Sequence, residues 1–310
     1  MEEKNILICG GSNLIAETLI EILLNESNHN LIIISSKAKS FRKNDRMKAS
    51  YIDLTDMKSL KSFCYNEKLD LIVNTASIND LELCENNHKL AWDINVVAVE
   101  NLASVARVLD IQLITLSSDY VFDGRKGPYS EDAKPDPLNY FGKTKHAAEN
   151  VCITGVNRGT IVRTSKVYGF SSFMKKDFTA HIFESVFEKK KVDVSDSYFS
   201  TPTLADDVAL AIFRIIEKER YGIYNAAGSD YLNNYETVKQ VLRVFQQDEK
   251  YINLIPKKDF KLSLKIPEKA GLINLKAETD LSIKFSNFED GLASYRYKVN
   301  NFSKAAFLEL

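Results

Sequence analysis

Two glycines near the start of the chain are placed for phosphate chemistry. In Cys9-Gly10-Gly11-Ser12-Asn13-Leu14-Ile15-Ala16 they follow an apolar run, Ile6-Leu7-Ile8-Cys9, and precede a stretch from Leu14 to Leu24 with apolar residues at helical spacing. A tight turn between strand and helix lets the backbone approach a pyrophosphate, and the helix N-terminus offers it N–H groups. Asn13 and Ala16 stand where a dinucleotide fingerprint carries its second and third glycines. Asparagine tolerates positive φ better than most residues, and alanine adds only a methyl. The candidate cradle is therefore Gly10, Ser12, Asn13, Leu14 and Ile15. The end of the second apolar run, Leu31 to Ile34, bears on which dinucleotide would bind. An acid there would accept the ribose 2′-hydroxyl of NAD. This chain has Ser35-Ser36-Lys37 with Arg42 beyond, and hydroxyls and cations suit a 2′-phosphate better. Ser36, Lys37 and Arg42 thus point to NADP(H), with NAD(H) as the second option.

The elements that must hold this turn follow from the apolar pattern. Short continuous runs at Ile6–Cys9, Leu31–Ile34, Leu71–Val73, Gln112–Leu116 and Ile161–Val162 alternate with longer amphipathic stretches, including one from about His88 to Val108. Fully apolar strands separated by helices predict a parallel sheet covered on both faces. Right-handed crossovers then give an α/β, doubly wound, Rossmann-type fold. The alternation loosens after about residue 165. The expected division is a dinucleotide-binding domain over 1–165 and a smaller, intertwined substrate-binding region over 166–310, with helices near 178–192, 204–218 and 235–246.

Composition narrows the class. Lys+Arg 41 against Asp+Glu 42 leaves a net charge of −1, without the basic field that nucleic-acid binding needs. No apolar run approaches the ~18 residues of a membrane span. Met1-Glu2-Glu3-Lys4 is acidic where a signal peptide is basic, so a cytoplasmic protein is expected. Cys9, Cys64, Cys84 and Cys152 lie far apart without C-x-x-C spacing, which predicts neither a disulfide framework nor zinc. His29, His88, His146 and His181 sit among polar neighbours and are expected at the surface, not as metal ligands. The lysines at 189–191 and between 257 and 265 are expected to be solvated.

Three further motifs appear in order: Ser117-Ser118-Asp119-Tyr120-Val121-Phe122-Asp123-Gly124, then Pro137-Leu138-Asn139-Tyr140-Phe141-Gly142-Lys143-Thr144-Lys145, then Arg163-Thr164-Ser165-Lys166-Val167-Tyr168-Gly169. With Asp53-Leu54-Thr55-Asp56, Asn95 to Ala103, Ser200-Thr201-Pro202-Thr203 and Gly222 to Gly228, the chain resembles an extended short-chain dehydrogenase/reductase over nearly its whole length. Within that group it most resembles the dTDP-4-dehydrorhamnose reductase family. The resemblance implies NAD(P)H-dependent reduction of a 4-keto group on a nucleotide-linked 6-deoxysugar, a step of polysaccharide biosynthesis. It requires a proton donor and hydrogen bonds to the developing alkoxide. Carried over by position, it assigns Ser118 to the carbonyl oxygen, Lys145 to the nicotinamide ribose and Asn95 to a proton relay. Asp53 and Leu54 go to the adenine, Thr75 and Ala76 to the dinucleotide, and Ser118, Asp119, Tyr120 and Lys166 to the sugar nucleotide. A homodimer or a regulated partner enzyme would fit the same resemblance.

Besides Asn13 and Ala16 in the glycine turn, two positions depart from the family. The proton-donating tyrosine falls on Phe141, which has no proton to give. Tyr140 is adjacent but lies about 140° from Lys145 on a helical wheel, against about 40° for Phe141. Lys166 stands where these reductases carry a tryptophan against the sugar nucleotide. Three functions are compatible with this pattern: a 4-ketoreductase; a catalytically impaired dinucleotide-binding protein that regulates a partner, a reading suggested by the regulatory subunit of methionine adenosyltransferase, which resembles this same family; or a sugar-nucleotide epimerase or dehydratase.

Overall fold

The computed structural model describes residues 3–41, 43–173, 178–260 and 263–308. Its centre is a parallel sheet of seven strands: β1 (Asn5–Cys9), β2 (Asn30–Ile34), β3 (Met47–Ser50), β4 (Leu71–Asn74), β5 (Gln112–Ser118), β6 (Gly159–Thr164) and β7 (Gly222–Asn225), in the order β7-β6-β5-β4-β1-β2-β3. β1 is interior and pairs parallel with β2 and β4, with Cys9 opposite Ile34 on one side and Asn74 on the other. The strand order reverses between β1 and β4, which opens a crevice at their C-terminal ends where such sheets bind ligands.

Both faces are covered, as the apolar strands require. On one face α1 (Leu14–Glu26) and α5 (Ala205–Glu217) bury Leu19, Leu23, Ile212 and Ile216 against Ile6, Ile8 and Ile33. On the other, α2 (Met57–Asn66), α3 (Ala98–Leu109) and α4 (Tyr140–Gly155) bury Leu60, Leu102, Val105 and Cys152 against Leu7, Ile72 and Leu113. A third apolar cluster, with Tyr168, Val241, Phe288 and Leu292, belongs to the C-terminal half. That half also supplies β7, a sheet strand that the apolar runs did not reveal; neither did they reveal β3.

Two other expectations are corrected. The helical stretch beginning near His88 is not a single α-helix: His88–Trp92 passes through a π-helical turn at Asp93–Val97 before α3. His29 is buried, its Nδ1 accepting from the Lys4 N–H at 3.1 Å, and burial lowers its pKa. The four cysteines are free and buried.

Candidate functional site

The crevice at the strand reversal is a cavity of about 600 Å³. Its walls bring together Asn13, Leu14 and Ile15 of the glycine turn, Thr75 after β4, Ser118, Asp119 and Tyr120 after β5, Phe141 and Lys145 of α4, and Lys166 after β6. These come from five separate chain segments, and each is fixed by its own local chemistry.

Gly10 has φ +81°, and a Cβ there would lie 2.6 Å from the Ala76 nitrogen. Only glycine lets the turn close on the strand beside it. Thr75 Oγ1 donates to the carbonyls of Cys9 at 2.8 Å and Gly10 at 3.1 Å, tying the two strand ends together. Asn13 is not at positive φ, as its place in the fingerprint suggested. Its φ is −76° and it serves as the N-cap of α1, its Oδ1 accepting from the Ile15 N–H at 3.0 Å. Ala16 is fully buried in the core, where its methyl is accommodated between helix and sheet.

The start of α4 is set by Asn139, whose Oδ1 accepts from the Gly142 N–H at 2.9 Å. A Cβ on Gly142 would run into the Tyr120 carbonyl, so this glycine lets α4 rest against the turn after β5. That docking puts Phe141 and Lys145, one helical turn apart, on the cavity side. Phe141 is buried, edge-on to Tyr120 with centroids 5.7 Å apart. Tyr140 takes the other direction: its ring stacks on His88 at 3.8 Å and its N–H donates to Glu85 at 3.0 Å.

The electrostatics are unusual for so small a space. Burial lowers the pKa of Lys145 to about 8, with Glu149 and Cys84 pulling the other way. Lys166 is likewise lowered to about 8 by burial, against the pull of Asp119. Asp119 is raised by burial, but its carboxylate faces into the wall: Oδ2 accepts from Ser165 Oγ at 2.6 Å and Gly271 N–H at 3.0 Å, and Oδ1 from Ser118 Oγ at 3.1 Å. Among the described residues no ion pair joins either lysine to a carboxylate.

The buried Lys145 ammonium makes a stability prediction. In the unfolded chain a lysine holds its proton to about pH 10.4; folded, Lys145 gives it up near pH 8. Between those values the unfolded state binds more protons, so stability rises with pH across that window. Lys145→Met should therefore raise the melting temperature at pH 7, by a gain on the order of 1–3 kcal/mol that shrinks toward pH 10. An unchanged or lower melting temperature at pH 7 would show that the ammonium is adequately solvated in the cavity.

Other expected site residues lie outside these walls. Asn95 sits behind them in the π-helical turn: its Oδ1 accepts from the Ile78 N–H at 2.8 Å, and its Nδ2 donates to Ile78 O and Thr144 Oγ1, each at 3.0 Å. It holds the loop after β4 against α4. Asp53 is exposed and accepts from Thr55 N–H and Oγ1, while the Leu54 carbonyl accepts from Asn101. Gly10, Ser12 and Ala76 are not among the lining residues: Ser12 is buried, and Gly10 lies against the Ala76 backbone. Ser36 and Lys37 are exposed, and Lys37 Nζ donates to the Phe173 carbonyl at 3.1 Å. Arg42 lies outside the described residues. Ser77, Asn79, Leu81, Thr164 and Phe178 line the cavity without having been singled out in the sequence. Asn234, whose Oδ1 accepts from Lys166 Nζ at 2.7 Å, was equally unseen, because nothing local marks it.

The reversed strand order and the cleft above it define a doubly wound, Rossmann-type protein with its ligand cavity at the switch point. The chain belongs to the RmlD substrate binding domain family, which it matches over residues 4–300. It is 30% identical over 239 residues to methionine adenosyltransferase 2 subunit beta of Xenopus laevis, covering 75% of this chain and 70% of that protein. It is 28% identical over 207 residues to a dTDP-4-keto-6-deoxy-D-glucose reductase of Streptomyces niveus, covering 66% of this chain and 71% of that one. The dTDP-4-dehydrorhamnose reductase of Bacillus anthracis, solved in complex with NADP, shares the fold at TM-score 0.84 and 21% identity, covering 96% of this chain and 100% of the other.

Proposed function

We propose that the chain binds a nicotinamide dinucleotide and a nucleotide-linked 4-keto-6-deoxysugar in this cavity, and reduces the keto group slowly because its proton donor is missing. In this reading residues 1–165 hold the dinucleotide and residues 166–310 close over the sugar nucleotide. The observation that carries it is the grouping of Phe141, Ser118 and Lys145 on one cavity wall system beside the glycine turn. In this reading the proton donor's oxygen is the part of the catalytic group that the site lacks.

The residues fit a dinucleotide. The Gly10 turn leaves no Cβ in the way of a close backbone approach, and the first N–H groups of α1 are not all satisfied within the helix. The Lys145 ammonium has no ion-pair partner among the described residues and is available to ribose hydroxyls. When bound, the nicotinamide supplies the hydride. Ser118 would donate to the substrate carbonyl oxygen after releasing its hydrogen bond to Asp119. Phe141 contributes shape but no proton, so the alkoxide oxygen would take its proton from solvent water reaching the cavity, which is what makes the reduction slow. The names of the relatives support the ligand classes: one is a reductase of a dTDP-linked keto sugar, and one reductase was solved with NADP.

Within this reading NADPH should bind more tightly than NADH. Lys37 would exchange its hydrogen bond to the Phe173 carbonyl for a charge-assisted one to the 2′-phosphate. The preference should be roughly tenfold. Calorimetric titration of both cofactors checks it, together with Lys37→Ala, which should narrow the gap. Equal affinities would show that the loop after β2 does not read the 2′-phosphate; binding of neither cofactor would remove the dinucleotide from the proposal.

A second reading is favoured by one observation, the 30% identity to a protein named as a subunit of methionine adenosyltransferase. A chain without its proton donor is suited to act as a dinucleotide-sensing subunit. The test that separates the two is the Phe141 exchange argued in the Discussion.

A further inference from the structure

Lys166 is an unusual residue to find where it is. Its backbone is left-handed, with φ +43°, a strained conformation for a residue with a long side chain. Its ammonium nevertheless reaches the cavity wall, held by two tethers: Nζ donates to Asn234 Oδ1 at 2.7 Å and lies 4.9 Å from the Phe178 ring centroid. An aromatic ring and an amide oxygen fix a cation in place without neutralising it.

The charge inventory of the cavity makes this consequential. Among the described residues, its charged wall residues are Lys145, Lys166 and Asp119. Asp119 is directed into the wall by Ser165, Gly271 and Ser118, so its carboxylate satisfies neither ammonium directly. Lys145 belongs with the dinucleotide in the function proposed above. A second positioned cation is left, Lys166 on the loop after β6. A neutral deoxysugar gives it nothing of opposite charge.

We propose that Lys166 binds an acidic group, a carboxylate carried on the sugar ring of the ligand, and so selects a nucleotide-linked sugar acid over its neutral counterpart. Asn234 and Phe178 act with it as positioning residues, aiming one side of the ammonium at the ligand. This inference rests on the nucleotide-sugar reading and narrows it: the preferred sugar carries a carboxylate at C6 in place of the methyl of a 6-deoxysugar, so the neutral deoxysugar is the weaker ligand.

The test uses the full chain and matched ligands that differ only at C6 of the sugar: UDP-glucose against UDP-glucuronate, and dTDP-glucose against dTDP-glucuronate. Free UDP and dTDP serve as controls, and all are titrated calorimetrically. The expected result is at least about tenfold tighter binding of the glucuronate in each pair that binds, as for a charge-assisted hydrogen bond. Lys166→Met should abolish that preference while leaving the affinity for the free nucleotide unchanged, and Lys166→Arg should retain much of it. Equal affinities of the unmodified chain for acid and neutral sugar overturn the Lys166 assignment and leave the nucleotide-sugar site standing. Equal weakening of the free nucleotide by Lys166→Met shows that the lysine reads the diphosphate, which also overturns it. Failure of every nucleotide and nucleotide sugar to bind defeats the underlying reading and this inference with it.

Discussion

Replacing Phe141 by tyrosine is expected to raise kcat/KM for reduction of a dTDP-linked 4-keto-6-deoxysugar by about 100-fold or more. Loss of a general acid typically costs that much, and its return should give it back if the rest of the site is in place. The ring at 141 is buried in the cavity wall, four residues before Lys145 on α4. A phenol there would sit near an ammonium that, among the described residues, has no carboxylate paired to it, a setting that lowers a phenol's pKa. The other phenol in the wall cannot take over the role easily. Tyr120 has its pKa pushed well up by burial and by Asp119, which makes it a weaker acid. Tyr140 is engaged with His88 and faces away. The measurement follows nicotinamide absorbance for the unmodified chain and Phe141→Tyr side by side, with NADPH affinity determined for both. Tight NADPH binding with no turnover in either protein would favour the regulatory reading over the reductase. Robust turnover by the unmodified chain, lost on Tyr140→Phe, would show that the helix entry rearranges and that Tyr140 is the acid.

The parts of this site that were legible in the sequence are those encoded locally. β1, β2, β4, β5 and β6 are buried on both faces, so each left an unbroken apolar run. β3 is an edge strand reading Met47-Lys48-Ala49-Ser50, half-exposed throughout, and such a strand carries little apolar signal. β7, at the opposite edge, begins on Gly222 and has only four residues. The glycine turn and the spacing from Phe141 to Lys145 are local too, and both fall on the cavity. What the sequence could not reveal is which distant segments meet. Asn234 lies 68 residues beyond the lysine that it tethers, and Gly271 lies 152 residues beyond the Asp119 that it steadies. Apolar periodicity tells which face of an element is buried but not which loop arrives there. Asn13 shows a subtler gap: the fingerprint position suggested a conformational role, whereas the chain uses the side chain as a helix cap. Asn95 is similar, since its position was readable but its engagement with Ile78 and Thr144 depends on the π-helical turn.

The largest stability effect is expected at Arg163, directly beneath the site. Its guanidinium makes a bidentate pair with Glu149, Nε to Oε1 and Nη2 to Oε2, each at 2.8 Å. Nη1 donates to the Glu131 carbonyl at 3.1 Å, and the Phe122 ring lies 5.1 Å from the guanidinium carbon. Both partners of the pair are almost fully buried. Arg163→Met keeps much of the volume but leaves the Glu149 carboxylate buried without its cation. Breaking such a pair from one side costs about 3–5 kcal/mol, because the remaining charge has lost its solvent and its partner together. For a chain of this size that corresponds to a fall in melting temperature of very roughly 5–15 °C. Glu149 is one turn beyond Lys145 on α4 and helps keep that lysine protonated, so removing the carboxylate in Glu149→Leu should also weaken dinucleotide binding. The double variant Arg163→Met/Glu149→Leu should recover most of the stability, since an apolar pair can replace a buried ion pair at little cost. It should not recover the dinucleotide affinity, because the carboxylate near Lys145 is gone. Thermal melts of the two single variants and the double variant, with NADPH titrations of each, separate these effects. A single variant that melts within a degree or two of the unmodified chain would mean that Glu149 escapes to solvent or is neutralised by a proton. The bidentate pair would then contribute orientation to α4 and not stability.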